Sequence, residues 1–299
     1  MKPLYAFFGH HKGATSWVNA ILRQVCGELG LRFAVVHNAD MFGRDLPLFI
    51  QEHRIDLLSY DNADFKYVEP LEDYRGFHVI RDPRDVTVSA YFSHLYSHPI
   101  TRPERAEYRE FLQTLPQDEG LLLELEGRAD QFAQMNGWNY SQTNVLEVKM
   151  EELTAHPYAG MIRILDYLDL LDHSIYSTKR RAAYVFFRNL RHLEDRTRRR
   201  LSFPLYPERM PVERLLGIVW ENDFKKRSGG RKPGEEDPRS HYRKGVPGDW
   251  RNHFTAAHIE YFQEHYNEVL LNLGYEDDSE WAIDIGPLVT NEEWPSVTH

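Results

Sequence analysis

The 299-residue chain holds a single cysteine, Cys26, so no disulfide can close within it and a zinc site built on several thiolates is excluded. No apolar run approaches the roughly 20 residues that a helix needs to span a bilayer. The apolar stretch Leu4–Phe8 is too brief for a secretory signal, and the Gly9-His10-His11-Lys12 that follows carries no cleavage pattern. These absences together predict a cytoplasmic location. Positive charge is also in deficit. Lys and Arg number 36 against 46 Asp and Glu, a formal net charge of −10, which argues against nucleic acid or an anionic membrane as a partner. Internal repeats and low-complexity tracts are missing too. What is present, 41% hydrophobic and 13% aromatic residues, suits a globular enzyme and not a disordered chain.

Short runs rich in Val, Ile and Phe predict buried strands at Leu4–Phe8, Phe33–Val36, Ile55–Leu58, Phe77–Ile80 and Val145–Val148. Helical spacing lies between most of them. Trp17, Ile21, Val25 and Leu29 form one stripe, with Thr15 or Ser16 placed as its cap. Pro83 suits the first turn of a helix through Val86, Ala90 and Leu95, and Ile162, Leu165 and Leu168 mark another that begins near Pro157. A last helix runs from a Thr255 cap through Ile259, Phe262, Tyr266 and Leu270. Alternating strands and helices predict an α/β fold: one domain over 1–299, with a central parallel sheet of about five strands flanked by helices. A helical excursion is expected over about 99–137 and an exposed, Gly- and Pro-rich loop over about 227–240.

Three separated segments carry the chemistry. The first strand feeds directly into Lys12-Gly13-Ala14-Thr15-Ser16-Trp17, where small residues, hydroxyls, a lysine and a helix N-terminus suit an anion. It is not the phosphate loop of ATPases, because no Gly-Lys-Ser/Thr occurs. The fourth predicted strand ends in Arg81-Asp82-Pro83-Arg84-Asp85, with Ser89 eight residues after Arg81. An arginine fork and a hydroxyl suit a terminal phosphate, although Arg84 and Asp85 equally suit a surface ion-pair cluster. Late in the chain, Arg243-Lys244-Gly245 places two cations beside a residue over which backbone can close. The basic runs from Arg188 to Arg200 and at Lys225-Lys226-Arg227 with Arg231-Lys232 read as a solvated face or as a collar for a polyanion.

In combination these segments resemble the sulfotransferases that use 3′-phosphoadenosine 5′-phosphosulfate (PAPS), especially the soluble ones and their bacterial relatives. Lys12 to Trp17 matches the family's Lys-Ser-Gly-Thr-Thr-Trp in register, with Gly13 and Ala14 where relatives have Ser and Gly. The resemblance implies that Lys12, Gly13, Ala14, Thr15 and Ser16 form a P-loop-like grip on the 5′-phosphosulfate. It further implies that Lys12 assists transfer and that Trp17 stacks near the adenine. Arg81 and Ser89 then take the 3′-phosphate, Arg243, Lys244 and Gly245 close over it, and Phe224 of Asn222-Asp223-Phe224 covers the other adenine face. The product would be adenosine 3′,5′-bisphosphate (PAP), with no metal required.

One family feature is missing. The histidine expected after the third strand is replaced by Ser59-Tyr60-Asp61-Asn62, and Asp61 aligns with it as the general base. Its plainer reading is a turn residue, with His94 and His11 as weaker substitutes. The implied acceptor is a small molecule or a carrier-bound group offering a hydroxyl or amine, and the arginine run hints at an acidic one. The aromatic residues Tyr91, Phe92, Trp138, Tyr140, Phe186 and Phe187 serve either an acceptor pocket or the core. Two alternatives stand beside the transferase: a P-loop-type nucleotide kinase, which needs Mg²⁺, and a non-catalytic nucleotide-binding module. Oligomeric state is not encoded legibly.

Overall fold

The structure, a computed structural model, describes residues 3–174 and 207–281 together with Ala182, Val185 and Phe186. The basic run at 188–200 and Phe187 lie outside the described residues. The apolar segments pair as one five-stranded parallel sheet in the order β2-β3-β1-β4-β5. These are β1 (Leu4–Gly9), β2 (Phe33–Val36), β3 (Leu57–Tyr60), β4 (Tyr74–Ile80) and β5 (Val145–Lys149). Strand β3 begins two residues later than its apolar run, because Leu57 is the residue that pairs with Tyr5 and Phe33, while Ile55 precedes the ladder. Register sets one row across all five strands: Val36, Tyr60, Phe8, His78 and Glu147.

The chain divides into two compact units, Met1–Arg81 with Gly137–Val246, and Asp82–Asn136 with Pro247–His299. The first unit contains the sheet. One sheet face, with Phe7, Leu57, Phe77 and Val79, packs on helices α1 (Thr15–Leu29), α9 (Pro157–Tyr167) and α10 (Val212–Glu221). On α9 the buried residues are Met161, Ile164 and Leu165, so the buried stripe starts one residue before Ile162. The opposite face, with Ala6, Phe8, Leu58 and Tyr60, buries Phe42, Leu46, Val68 and Trp138. Burying a large apolar side chain contributes about 1.5–3 kcal/mol, so both faces hold the strands in register.

The second unit is helical: α4 (Pro83–Phe92), a π-turn at Ser93–Ser97, α5 (Pro103–Thr114), α6 (Gln117–Glu126), α7 (Ala129–Asn136) and α12 (Ala256–Asn272). Asp82 caps α4 by accepting the Arg84 amide at 2.9 Å. Arg84 is buried, held by both Asp82 oxygens (3.0 and 2.8 Å) and by Glu276 (2.5 Å), and it lies over the rings of Trp250 and Trp281. Asp85 accepts the amides of Gly248 (2.6 Å) and Trp250 (2.9 Å). The surface-cluster reading of Arg84 and Asp85 is therefore wrong. A charge this deeply buried survives only when its donors or acceptors are satisfied, and these two fix backbone.

Candidate functional site

In a parallel sheet every strand ends at the same edge, and this edge is where α/β folds bind ligands. His37, Asp61, the turn from His10, Arg81 and Met150 follow directly on β2, β3, β1, β4 and β5. The turn is built on left-handed backbone, with φ of 67° at Lys12 and 61° at Ala14. Gly13 donates its amide to the His10 carbonyl at 2.9 Å, and a Cβ there would meet that oxygen at 3.0 Å, so the tight turn selects glycine. Neither Thr15 nor Ser16 caps α1. The cap position is Ala14, which brings no side-chain acceptor, so no side chain closes off the first amides of α1, although the Trp17 amide reaches the Ala14 carbonyl at 3.0 Å. That corrects the capping expectation and leaves the helix terminus suited to an external anion.

Arg81, partly buried at the end of β4, donates Nη1 to the Lys12 carbonyl at 3.0 Å. The second sequence segment is thereby brought onto the first. Trp17 donates Nε1 to the Asn222 carbonyl at 2.9 Å, which ties α1 to the segment carrying Phe224. Phe224 is half-buried against Gly245, where φ is +71° and a Cβ would fall 2.5 Å from a ring carbon. Arg231 donates to the carbonyls of Arg243 and Tyr242, both at 2.6 Å, which shapes the strip that carries the late cations. Arg243 Nη1 reaches Glu236 at 2.5 Å and Lys244 Nζ reaches the same carboxylate at 3.8 Å. Two cations thus converge on one anionic group. His241 is exposed, yet atoms crowd its ring: desolvation and then the Lys12 charge hold it below the ordinary histidine range. The late segment therefore lies within reach of the lysine turn.

Ser89 sits half-buried on α4 in the second unit. His94, in the same unit, donates Nδ1 to Glu124 at 2.8 Å, beside Arg128 at 2.6 Å. Burial pushes the Glu124 carboxyl up, but the bonds from His94 and Arg128 outweigh it and hold the group below the usual carboxylate range. That histidine is committed to a buried network. Tyr91 and Phe92 are buried in this unit and Trp138 in the other, while Phe186 is exposed.

Asp61 is buried and fully engaged. Its Oδ1 accepts from Asn19 and Ser59, each at 2.8 Å, and its Oδ2 lies 2.9 Å from Nδ1 of His37. The His37 side chain is 57% exposed, so its other ring nitrogen can face solvent. Carboxylate and imidazole make a pair in which the first orients the second.

The sequence reading passed over a second polar group. His78 Nδ1 lies 2.8 Å from Glu147, and His78 Nε2 lies 2.9 Å from Nε2 of His10. The other Glu147 oxygen accepts from Trp138 Nε1 at 2.9 Å. His10 and His78 are both buried, and His10 Nδ1 is buried with no hydrogen-bond partner. Burial drives His78 down to about 3, and burial followed by the neighbouring His78 drives His10 well below its usual range. Burial pushes Glu147 up to about 8 against the opposing Trp138 bond. The His78–Glu147 contact has ion-pair geometry, but desolvation makes both groups neutral near pH 7, so it is a neutral hydrogen bond. The signal was present: a histidine and a glutamate each interrupt an otherwise apolar strand.

Residues 220–274 match the family model described as the sulfotransferase domain. The mouse sulfotransferase SULT7A1 complexed with PAP is similar at 15% identity over 92% of this chain and 85% of its own, with a TM-score of 0.54. Retinol dehydratase with androsterone and inactive cofactor PAP aligns over 90% of this chain and 81% of its own at 13% identity, TM-score 0.42. Retinol dehydratase with retinol and PAP aligns at 15% identity, covering 90% and 82%, with the same TM-score of 0.42. A search of the curated proteins found no match. The resemblance carried by the motifs thus meets a domain match at the late segment and a fold match along most of the chain.

Proposed function

We propose that the chain is a sulfotransferase that transfers a sulfuryl group from PAPS to a hydroxyl or amine of an acceptor, a reading supported by the domain match at 220–274 and by the fold. The observation that carries this reading is the bond from Arg81 to the Lys12 carbonyl, which joins the lysine turn to the arginine segment 69 residues away. The residues fit a nucleotide with two anionic ends. Left-handed turn backbone and an uncapped helix terminus suit one end, and the convergence of Arg243 and Lys244 on a single carboxylate suits the other.

PAPS when bound supplies an activated sulfuryl group on its 5′-phosphate. The chain's own task is placement and charge. Lys12 and the amides at the start of α1 hold the end bearing the sulfuryl group and neutralise charge on the leaving phosphate. Arg81, Arg243, Lys244 and the Gly245 backbone hold the 3′ end, and Trp17 and Phe224 flank the adenine. The acceptor's proton passes to the Asp61–His37 pair, with Asp61 fixing the imidazole and His37 presenting a ring nitrogen. The acceptor is a small molecule or a carrier-bound group.

Incubation with sulfur-labelled PAPS and a panel of alcohols, phenols, amines and carrier-bound hydroxyls tests the reading. Label transfer, with a mass gain of one SO₃ group on the acceptor, is the expected result. Absence of PAP binding by calorimetry refutes it outright.

A further inference from the structure

The chain Glu147–His78–His10, buried at its two histidines, runs to the residue that opens the lysine turn, and two proton arrangements satisfy its contacts when the Glu147 oxygen facing His78 is the one that titrates. Both imidazoles are neutral, so each carries one N–H, and their facing Nε2 atoms at 2.9 Å need one donor and one acceptor. With Glu147 protonated, its O–H donates to His78 Nδ1. His78 must then carry its proton on Nε2 and donate to His10 Nε2, which leaves the His10 proton on Nδ1. With Glu147 ionised, every proton shifts one place. His78 Nδ1–H donates to the carboxylate, His10 Nε2–H donates to His78, and His10 Nδ1 becomes a bare lone pair. The net difference is one proton, lost from His10 Nδ1, with the charge left on Glu147.

His10 Nδ1 is the one end of this chain with no protein partner, and it belongs to the buried residue whose carbonyl closes the turn on the Gly13 amide. Leaving such a group unpaired costs about 1–3 kcal/mol unless a ligand completes it. We infer that His10 is an anion-binding residue of the lysine turn, switched between donor and acceptor by the protonation of Glu147 through His78. His78 and Glu147 are positioning residues. The ligand assignment rests on the nucleotide reading above.

Near neutral pH Glu147 holds its proton, since burial pushes it up to about 8, so His10 Nδ1–H is a donor when an anion arrives. Above that range the same atom turns its lone pair on the anion. The groups against the chain are His78 from β4, and Trp138 and Tyr140 from the segment before β5. The Tyr140 phenol is raised by burial and then by Glu147, so it stays neutral across this range.

Calorimetric binding of PAP from pH 7 to 9.5 provides the test, paired with nitrogen NMR of isotope-labelled histidine, which separates protonated from bare ring nitrogens. Native protein should weaken by about tenfold as pH rises, the scale of losing one hydrogen bond to a charged group. In Glu147→Gln the amide can only donate to His78 while its oxygen accepts from Trp138, so the chain is locked in the donor form. Its affinity ratio between the two pH values should stay within about twofold, because no proton is left to lose. At pH 7 NMR should find the His10 proton on Nδ1, moving to Nε2 above pH 8 only in the native protein. Parallel weakening in Glu147→Gln, or a His10 proton on Nε2 at pH 7, would overturn the switch. Failure of both proteins to bind PAP at any pH would overturn the ligand assignment and the nucleotide reading together, while the NMR result still decides the tautomer.

Discussion

Lowering the pH from 7 to 5 should separate the two sides of the buried polar chain, because they respond with opposite sign. His78 titrates at 6.5 when unfolded and at about 3 when folded, so below 6.5 the unfolded chain takes a proton that the folded chain refuses. Stability is lost as pH falls, and between pH 7 and 5 the loss is about 2 kcal/mol. His10 adds to the same side. Glu147 runs the other way. Its carboxyl titrates at 4.5 unfolded and at about 8 folded, so within that window the folded chain holds a proton that the unfolded chain releases. Acid therefore favours the folded state, by about 2 kcal/mol over the same interval, with water at its 26% exposed side chain trimming the figure. In the native protein Glu147 offsets about the share of His78, and the His10 contribution remains as a net loss of stability in acid.

Variants uncover them. Glu147→Gln removes the compensating carboxyl and should lose about 2 kcal/mol more than native protein between pH 7 and 5. His78→Gln removes a loss and should come out about 2 kcal/mol ahead over the same step. Urea unfolding followed by tryptophan fluorescence is the assay, since Trp138 lies over His78 with ring centroids 4.2 Å apart. Coincident pH responses of Glu147→Gln and native protein, within about 0.5 kcal/mol, would show that Glu147 ionises as an ordinary surface carboxylate and that the reasoning fails.

Lys12→Ala should lower turnover by roughly 10²–10³ while weakening PAP binding much less, which steady-state kinetics and calorimetry together resolve. Arg81→Ala removes both a phosphate fork and the bond that pins the Lys12 carbonyl, so PAP affinity should fall by about 2–5 kcal/mol; an unchanged dissociation constant contradicts the assignment. Gly245→Ala puts a Cβ 2.5 Å from the Phe224 ring at a φ of +71°, and should weaken PAP by roughly 1–3 kcal/mol with the global unfolding midpoint little changed. Asp61→Asn and His37→Gln should each cut turnover by about 10²–10⁴ without altering PAP affinity. If only Asp61→Asn does so, the carboxylate acts alone.

Much of the proposed nucleotide site was legible because its candidate groups come as short contiguous strings after strands. Lys12 to Trp17 and Arg243 to Gly245 carry their meaning in residue type and spacing, since backbone amides and small residues act where they stand in the chain. The sheet was legible for a related reason: strands buried on both faces read as unbroken apolar runs. Asp61 stood out in the sequence, but its partner His37 sits 24 residues earlier on another strand end, and adjacency at a sheet edge has no spacing rule in sequence. The surface-cluster alternative for Arg84 and Asp85 arose because charge normally signals surface. Only the tertiary structure supplies the Glu276 carboxylate, the tryptophan rings and the Gly248 amide that make their burial tolerable.

The Glu147–His78–His10 chain shows how register turns isolated oddities into chemistry. Each residue taken alone is a polar interruption in an apolar strand or a histidine in a loop, and each would count against the element that holds it. The β4–β5 pairing sets His78 opposite Glu147, and His10, two residues beyond Phe8 on β1, comes to lie against His78. A polar group buried in a sheet is costly unless it is paired, and a hydrogen-bonded chain stays costly while one end is unsatisfied. The far end here is an unpartnered nitrogen on the residue that opens the lysine turn. A structural role alone would be met as well by apolar residues at 78 and 147. On the proposal above, these three polar side chains link the interior of the sheet to the binding of an anion.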